Sequence, residues 1–267
     1  MLKRLLITGA AGGLGRMART HLAPLAETLR LSDVAEMDPA GENEEVVHCD
    51  LGDRDAVFDL VSGCDGIVHF GGISIEKPFD LILNANIVGV YNLYEAARAA
   101  GMPRIVFASS NHTIGFYKQD QRLTPDMPMR PDSLYGVSKC FGEAIASMYF
   151  DKFGQETAII RIGSCFPEPR DHRMLATWLS AADLVALIER TFAVPRLGCP
   201  IVWGVSDNDR VWWDNSSSRY LGWTAKDNAE QFAAAIDARM EKPPADAVDA
   251  VYQGGKFVDE PIHGSDG

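Results

Sequence analysis

A tyrosine and a lysine stand four residues apart in the segment YGVSK, Tyr135 to Lys139. On a helix that spacing puts both side chains on one face, one turn apart. A free phenol has a pKa of about 10 and is a poor base near neutrality. A neighbouring ammonium favours the phenolate, which makes the pair a candidate general base for taking a proton from a hydroxyl group. The competing reading is a surface pair with no chemistry.

A second constellation opens the chain. LITGAAGGLGR, Leu6 to Arg16, holds Gly9, Gly12, Gly13 and Gly15 between an apolar run and a helical pattern. Such glycines allow a tight turn and a close approach of backbone to a pyrophosphate, whose charge meets the N-terminus of the following helix. Asp33 closes the next strand-like run, about 20 residues on, where a dinucleotide fold places its ribose-binding acid. A carboxylate there accepts hydrogen bonds from both ribose hydroxyls and repels the 2′-phosphate of NADP, so NAD is the expected cofactor. A purely structural glycine turn is the alternative.

These groups need elements to position them. KRLLIT, TLRLSDV, EEVVHCDL, DGIVHFGG, RIVFASS and TAIIRIG read as buried strands, and CPIVWGV as a seventh. GLGRMARTHLAPL has helical spacing, with Leu14, Met17, Ala18 and Leu22 on one face. Further helices are expected over RDAVFDLVSG, closed by Gly63, over Pro78 to Ala100, stopped by Gly101, and over Tyr135 to Phe153. Ser180 and Asp183 predict a capping box that opens a helix over SAADLVALIERTF. KDNAEQFAAAIDARM reads as a last helix. Residues 111–131 are irregular, and 241–267 show no readable pattern. Strict alternation predicts an α/β fold, a doubly wound parallel sheet of Rossmann type. Residues 1–169 form its NAD-binding domain, and 170–267 a small substrate-binding portion interwoven with it.

The chain has 267 residues, of which 46% are hydrophobic, enough for one sizeable core. Its net charge of −12 argues against nucleic acid or an anionic membrane surface as a partner. An anionic substrate therefore needs a local cation. Cys49, Cys64, Cys140, Cys165 and Cys199 are scattered without a C-x-x-C pair, as in reduced cytoplasmic proteins. The histidines form no H-x-x-x-H pair, and no metal is expected. Met1 leads straight into a strand, without the pattern of a secretory leader, and no apolar run is long enough to span a bilayer.

The T-G-x-x-G-x-x-G spacing, YGVSK and Ser110 before Gly115 together resemble the extended short-chain dehydrogenase/reductase family, the NAD-dependent epimerases and dehydratases. The resemblance implies Tyr135 as base, Ser110 as its partner at the reacting oxygen, and Lys139 as the group that tunes Tyr135 and holds the nicotinamide ribose. It also implies that Leu14, Asp50, Leu51, Phe70, Gly71, Gly72, Asn86 and Ile162 line the cofactor. Members acting on nucleotide-linked sugars carry a larger C-terminal portion, so a small free substrate is implied here.

GGIS, SSNHTIGFY, RIGSCFPEP and DHRMLATWLSAADLV are similar to segments of members that oxidise free uronic acids, D-glucuronate and D-galacturonate, with NAD. RIGSCFPEP departs from the family's usual R-x-x-N-x-[YF]-G-P by placing Ser164 and Cys165 beside the nicotinamide. The implied reaction is hydride loss from the anomeric C1, with proton loss to Tyr135, giving the aldaric lactone. The implied substrate contacts are Ser74, Ser110, Asn111, His112, Tyr135, Ser164 and Arg173. Arg173 would grip the carboxylate, in preference to Arg161 in the sixth strand and Arg170 beside it. Other readings stand for two of these positions, His112 as a loop brace and Arg173 as a surface ion pair; Trp212 and Trp213, in the aromatic-rich segment WWDNSSSRYLGWTAKDN, read as packing in preference to substrate contacts. An epimerase or dehydratase of the same family, or a non-catalytic NAD sensor, are the alternative functions. The family also implies a homo-oligomer, with the helices at Asn84–Ala100 and Tyr135–Phe153 pairing through residues that include Leu93, Ile145, Met148 and Phe150.

Overall fold

The computed structural model describes residues 1–262. Seven strands form one parallel sheet: β1 (Leu2–Thr8), β2 (Ala26–Asp33), β3 (Glu44–His48), β4 (Gly66–His69), β5 (Arg104–Ser110), β6 (Thr157–Ile162) and β7 (Ile201–Gly204). Their order is β3-β2-β1-β4-β5-β6-β7. The helices are α1 (Gly13–His21), α2 (Arg54–Val61), α3 (Phe79–Ile82), α4 (Gly89–Ala99), α5 (Leu134–Phe153), α6 (Met174–Thr177), α7 (Ala181–Ala193), α8 (Ala233–Arg239) and α9 (Val248–Val251). The order of the strands reverses at β1, and ligands of such sheets bind in the crevice outside the carboxyl ends at that reversal.

Both faces of the sheet are covered, which is why its strands read as nearly continuous apolar runs. Successive side chains alternate between the faces. Leu5 and Ile7 pack with Ala18 of α1 and Leu184 and Leu187 of α7. Leu6 points the other way, to Leu60 of α2, Leu93 and Tyr94 of α4 and Ile145 of α5. The seventh strand comes from beyond residue 169 yet joins the same sheet beside β6.

Several boundaries differ from expectation, each for a local reason. The first helix stops at His21, and Pro24 sits in a separate 3-10 turn, Ala23–Leu25. The expected helix over Pro78 to Ala100 is continuous but changes hand-hold midway: Leu83–Val88 is a π-helical turn. The expected last helix is a 3-10 turn, Ala229–Phe232, followed by α8. The capping box is half made. Ser180 Oγ accepts the Asp183 N–H at 3.0 Å, but the Asp183 carboxylate turns to Ser206 Oγ (2.6 Å) and the N–H groups of Lys226 (2.9 Å) and Asp227 (3.1 Å).

The tail without a readable pattern is tied down by polar contacts, among them those of Gln119 Nε2 to the carbonyls of Asp249 (2.9 Å) and Tyr252 (3.0 Å). Gln253 is fully buried, donates to the carbonyls of Lys118 (2.9 Å) and Gln121 (2.8 Å), and accepts from Trp213 Nε1 (2.8 Å). Trp213 also stacks on Trp203 at 4.9 Å, so it is packing. Residues 263–267, the end of that tail, lie outside the described residues. Leu93 and Ile145 are spent in the core, whereas Phe79, Leu81, Tyr91, Val137 and Met148 stand exposed on the outer faces of α3, α4 and α5.

Candidate active site

The glycine loop follows β1 at the reversal point. Gly9 adopts φ 70°, and a Cβ there would stand 2.6 Å from the Phe70 carbonyl carbon. A Cβ on Gly15 would overlap the Gly9 carbonyl oxygen, so that position lets α1 pack against the loop. Gly13 faces open space. Gly12 caps α1 without a side-chain acceptor, which leaves first-turn N–H groups available to an anion. A cavity of about 440 Å³ opens here, lined among others by Gly12, Gly13, Asp33, Asp50, Leu51 and Ser74. The Asp33 carboxylate is held by the N–H groups of Ala11 (2.9 Å) and Ala35 (3.0 Å). A small-residue floor, an uncapped helix start and a fixed carboxylate fit a dinucleotide.

Around that cavity, Asp50 Oδ1 accepts from the Gly52 N–H at 2.8 Å. Leu14, Phe70, Gly71 and Gly72 line the same wall. Ile162 ends β6, buried. Asn86, in the π-helical turn, accepts from the Ile73 N–H (2.7 Å) and donates to the Ile73 carbonyl (2.9 Å) and Ser138 Oγ (2.9 Å). Its amide therefore braces the Gly72–Ile73 loop against α5.

Tyr135 and Lys139 lie on the inner face of α5, each 6% exposed. Lys139 Nζ is 5.7 Å from the centre of the Tyr135 ring and donates to the Ala108 carbonyl at 2.9 Å. Ser110 ends β5, and its Oγ accepts the His112 N–H at 3.1 Å. Asn111, buried behind it, is oriented by its neighbours: its amide nitrogen donates to the Ile162 carbonyl (3.2 Å) and its oxygen accepts from Arg173 Nη2 (2.7 Å). Arg173 is partly buried at the start of α6, where Nε donates to the Gln253 carbonyl at 2.7 Å. Nη1 and one hydrogen of Nη2 remain uncommitted among the described residues. Burial lowers the Arg173 pKa, and nearby Asp171, Asp132 and Asp249 act on it only through their charge.

Arg161 is occupied elsewhere: it forms a buried fork with Glu143 at 2.9 and 2.8 Å. Arg170 is exposed, stacked on Phe166. Ser164 is buried and shares a hydrogen bond with Thr177 Oγ1 at 2.9 Å. Ser74 is exposed at the mouth of the cavity. Burial pushes the Cys165 thiol up to about 12, so it is no nucleophile at neutral pH.

A model of the NAD dependent epimerase/dehydratase family matches residues 5–213. The chain belongs to that family. It is 65% identical to the uronate dehydrogenase of Agrobacterium fabrum over 263 residues, 98% of each chain. Its fold matches a tyrosine-to-alanine variant of the Agrobacterium tumefaciens uronate dehydrogenase complexed with NAD, with TM-score 0.98 and 63% identity, covering 98% of this chain and 99% of that one. It also matches the glucuronic acid dehydrogenase of Chromohalobacter salexigens, with TM-score 0.97 and 55% identity, covering 98% of each.

Lys139 and an oxidised nicotinamide together are expected to favour the phenolate; the protein's own packing around Tyr135 acts the other way. Burial dominates and pushes Tyr135 up to about 12, against a hydrogen bond from Ser110. The same burial pulls Lys139 down to about 8. Four groups at the site had no spacing to betray them. Glu76, buried, accepts the Tyr135 N–H at 3.0 Å and ties the Ser74 loop to α5. Asp132 meets His112 Nδ1 at 2.8 Å. Phe257 stacks on His112 at 3.8 Å and lies 6.3 Å from Tyr135. Gln253 holds Arg173. The only sequence signal was the residue types themselves, polar or aromatic outside any periodic pattern.

Proposed function

We propose that this protein oxidises a free uronic acid, D-glucuronate or D-galacturonate, at its anomeric C1 to the aldaric lactone, with NAD as acceptor. The observation that carries the reading is Arg173. A guanidinium with no carboxylate partner among the described residues is held from behind by Gln253 and by Asn111, the residue after Ser110, in a chain otherwise rich in negative charge. The relatives that match nearly the whole chain are named for uronate or glucuronic acid oxidation, and one of them is complexed with NAD.

Gly9, Gly12, Gly13 and Gly15 would hold the pyrophosphate, Asp33 the adenosine ribose, Asp50 and Leu51 the adenine, and Lys139 the nicotinamide ribose. Bound NAD supplies the hydride acceptor and a positive ring that favours the phenolate. Tyr135 takes the proton from the C1 hydroxyl while Ser110 hydrogen-bonds the same oxygen. Arg173 grips the carboxylate through two parallel bonds and so aims C1. Ser74, Asn111, His112 and Ser164 complete the sugar contacts. Loss of the C1 hydride and the hydroxyl proton leaves the lactone.

No helix among the described residues is long and apolar enough to cross a membrane. Five unpaired cysteines support a cytoplasmic enzyme. The exposed apolar residues on α3, α4 and α5 support a homo-oligomer, which light scattering at micromolar concentration tests: a monomer mass overturns it. Following NADH absorbance with free uronates, aldoses and nucleotide sugars tests the function. NADH forms with the free uronates. Turnover confined to nucleotide sugars, or none, overturns the reading.

A further inference from the structure

Asp132 has a fully buried carboxylate. One oxygen, Oδ2, meets His112 Nδ1 at 2.8 Å. The other, Oδ1, accepts from Ser133 Oγ at 2.9 Å, and that hydroxyl oxygen in turn accepts the Gly136 N–H at the start of α5. Two glycines make room for it: a Cβ on Gly115 or on Gly254 would overlap the Asp132 carboxylate. Gly254 is delivered by the same tail that brings Phe257 onto a face of the imidazole, with the two rings 27° from parallel. His112 is thus gripped in its plane by a carboxylate and across its face by an aromatic ring, edge-on to Tyr135 at 5.8 Å.

A buried carboxylate is a costly way to stiffen a loop, because removing its charge from water is expensive. It does something a neutral group does not. An ionised carboxylate only accepts, so the ring nitrogen facing it must carry a hydrogen, and the other nitrogen of a neutral imidazole is left as an acceptor. Nε2 of His112 has no partner among the described residues. We infer that Asp132 is a positioning residue that holds His112 as the Nδ1–H tautomer, so that Nε2 accepts a hydrogen bond from a sugar hydroxyl of the substrate. Recognition is then divided: His112 reads a hydroxyl, and Arg173 reads the carboxylate. The identity of that hydroxyl-bearing ligand rests on the function proposed above; the tautomer does not.

Two measurements test this separately. In protein labelled with ¹⁵N-histidine, long-range ¹H–¹⁵N spectra of the neutral ring read the tautomer directly, with His112 assigned by the loss of its signals in His112→Gln. The expected pattern is a protonated Nδ1 and a bare Nε2 in the unmodified protein, with a mixture in Asp132→Asn, whose amide presents either a donor or an acceptor. A protonated Nε2 with a bare Nδ1 in the unmodified protein overturns the proposal, whatever the variants do and whether or not uronates are substrates. The second measurement is a double-mutant cycle on glucuronate oxidation. Asp132→Asn lowers kcat/KM about 10- to 100-fold in the unmodified protein and less than about threefold in His112→Gln, because its effect runs through the imidazole. Equal losses in the two backgrounds mean that Asp132 only supports the loop, and overturn the proposal. If no uronate is oxidised at all, the proposed function fails and the tautomer measurement still decides this one.

Discussion

Replacing Arg173 with alanine removes two kinds of interaction that separate experimentally. The first is structural: Nε no longer satisfies the Gln253 carbonyl, and Nη2 no longer satisfies the Asn111 oxygen. Each lost bond costs about 1 kcal/mol, together about 30-fold, on any substrate that needs the tail and Asn111 in place. The second is the grip on the substrate carboxylate, made by the N–H groups that remain free. A pair of charge-assisted bonds in a half-buried site is worth about 2–4 kcal/mol, or about 30- to 1000-fold in kcat/KM. Glucose has no carboxylate and feels only the first loss, whereas glucuronate feels both. The ratio of kcat/KM for glucuronate to that for glucose therefore falls by about 30- to 1000-fold, while NAD affinity, measured by quenching of tryptophan fluorescence, stays within about threefold. Arg173→Lys keeps the charge but loses the fork and the Nε donor, and falls between the two proteins. If alanine lowers both substrates by the same factor, Arg173 serves only as scaffold, and the carboxylate must be read by hydroxyls such as those of Ser74 and Ser164.

Three further outcomes are expected. Tyr135→Phe retains NAD binding and loses nearly all turnover, because it deletes the base without altering the ring's packing; more than about a tenth of the activity surviving assigns the base elsewhere. Lys139 is held at about 8 against 10.5 for the free side chain, so between those values the unfolded chain binds more protons and stability rises with pH. The penalty is fully present below about pH 8, and from pH 7 to pH 10 its relief stabilises the protein by about 2 kcal/mol relative to Lys139→Met, read from urea titrations of both; parallel pH dependences refute it. Asp33→Ala erodes the preference for NAD over NADP, read as the ratio of kcat/KM for the two cofactors, and equal efficiency in the unmodified protein refutes the carboxylate's role.

The sheet, the glycine loop and the Tyr135–Lys139 pair were legible because each is written in short-range spacing. A strand buried on both faces is an apolar run, and a helix face repeats every three or four residues. Asp33 was legible because it sits where a strand stops, and Ser110 through the family resemblance of VFASSNHTIG. The sequence alone therefore determined the parallel fold and the line of groups along the carboxyl ends of its strands. Tertiary structure decided the sugar side. The tail has no amphipathic stripe because polar contacts, those of Gln119 and Gln253 among them, hold it down, so no period announces that Phe257 covers His112. Glu76 and Asp132 reach their partners across loops, where spacing carries no information. The upward push that the protein's own packing exerts on Tyr135 was not legible for the same reason. Sequence shows the ammonium one turn away, but the loss of water around the phenol comes from every element packed over it, and in this site that loss outweighs the hydrogen bond from Ser110.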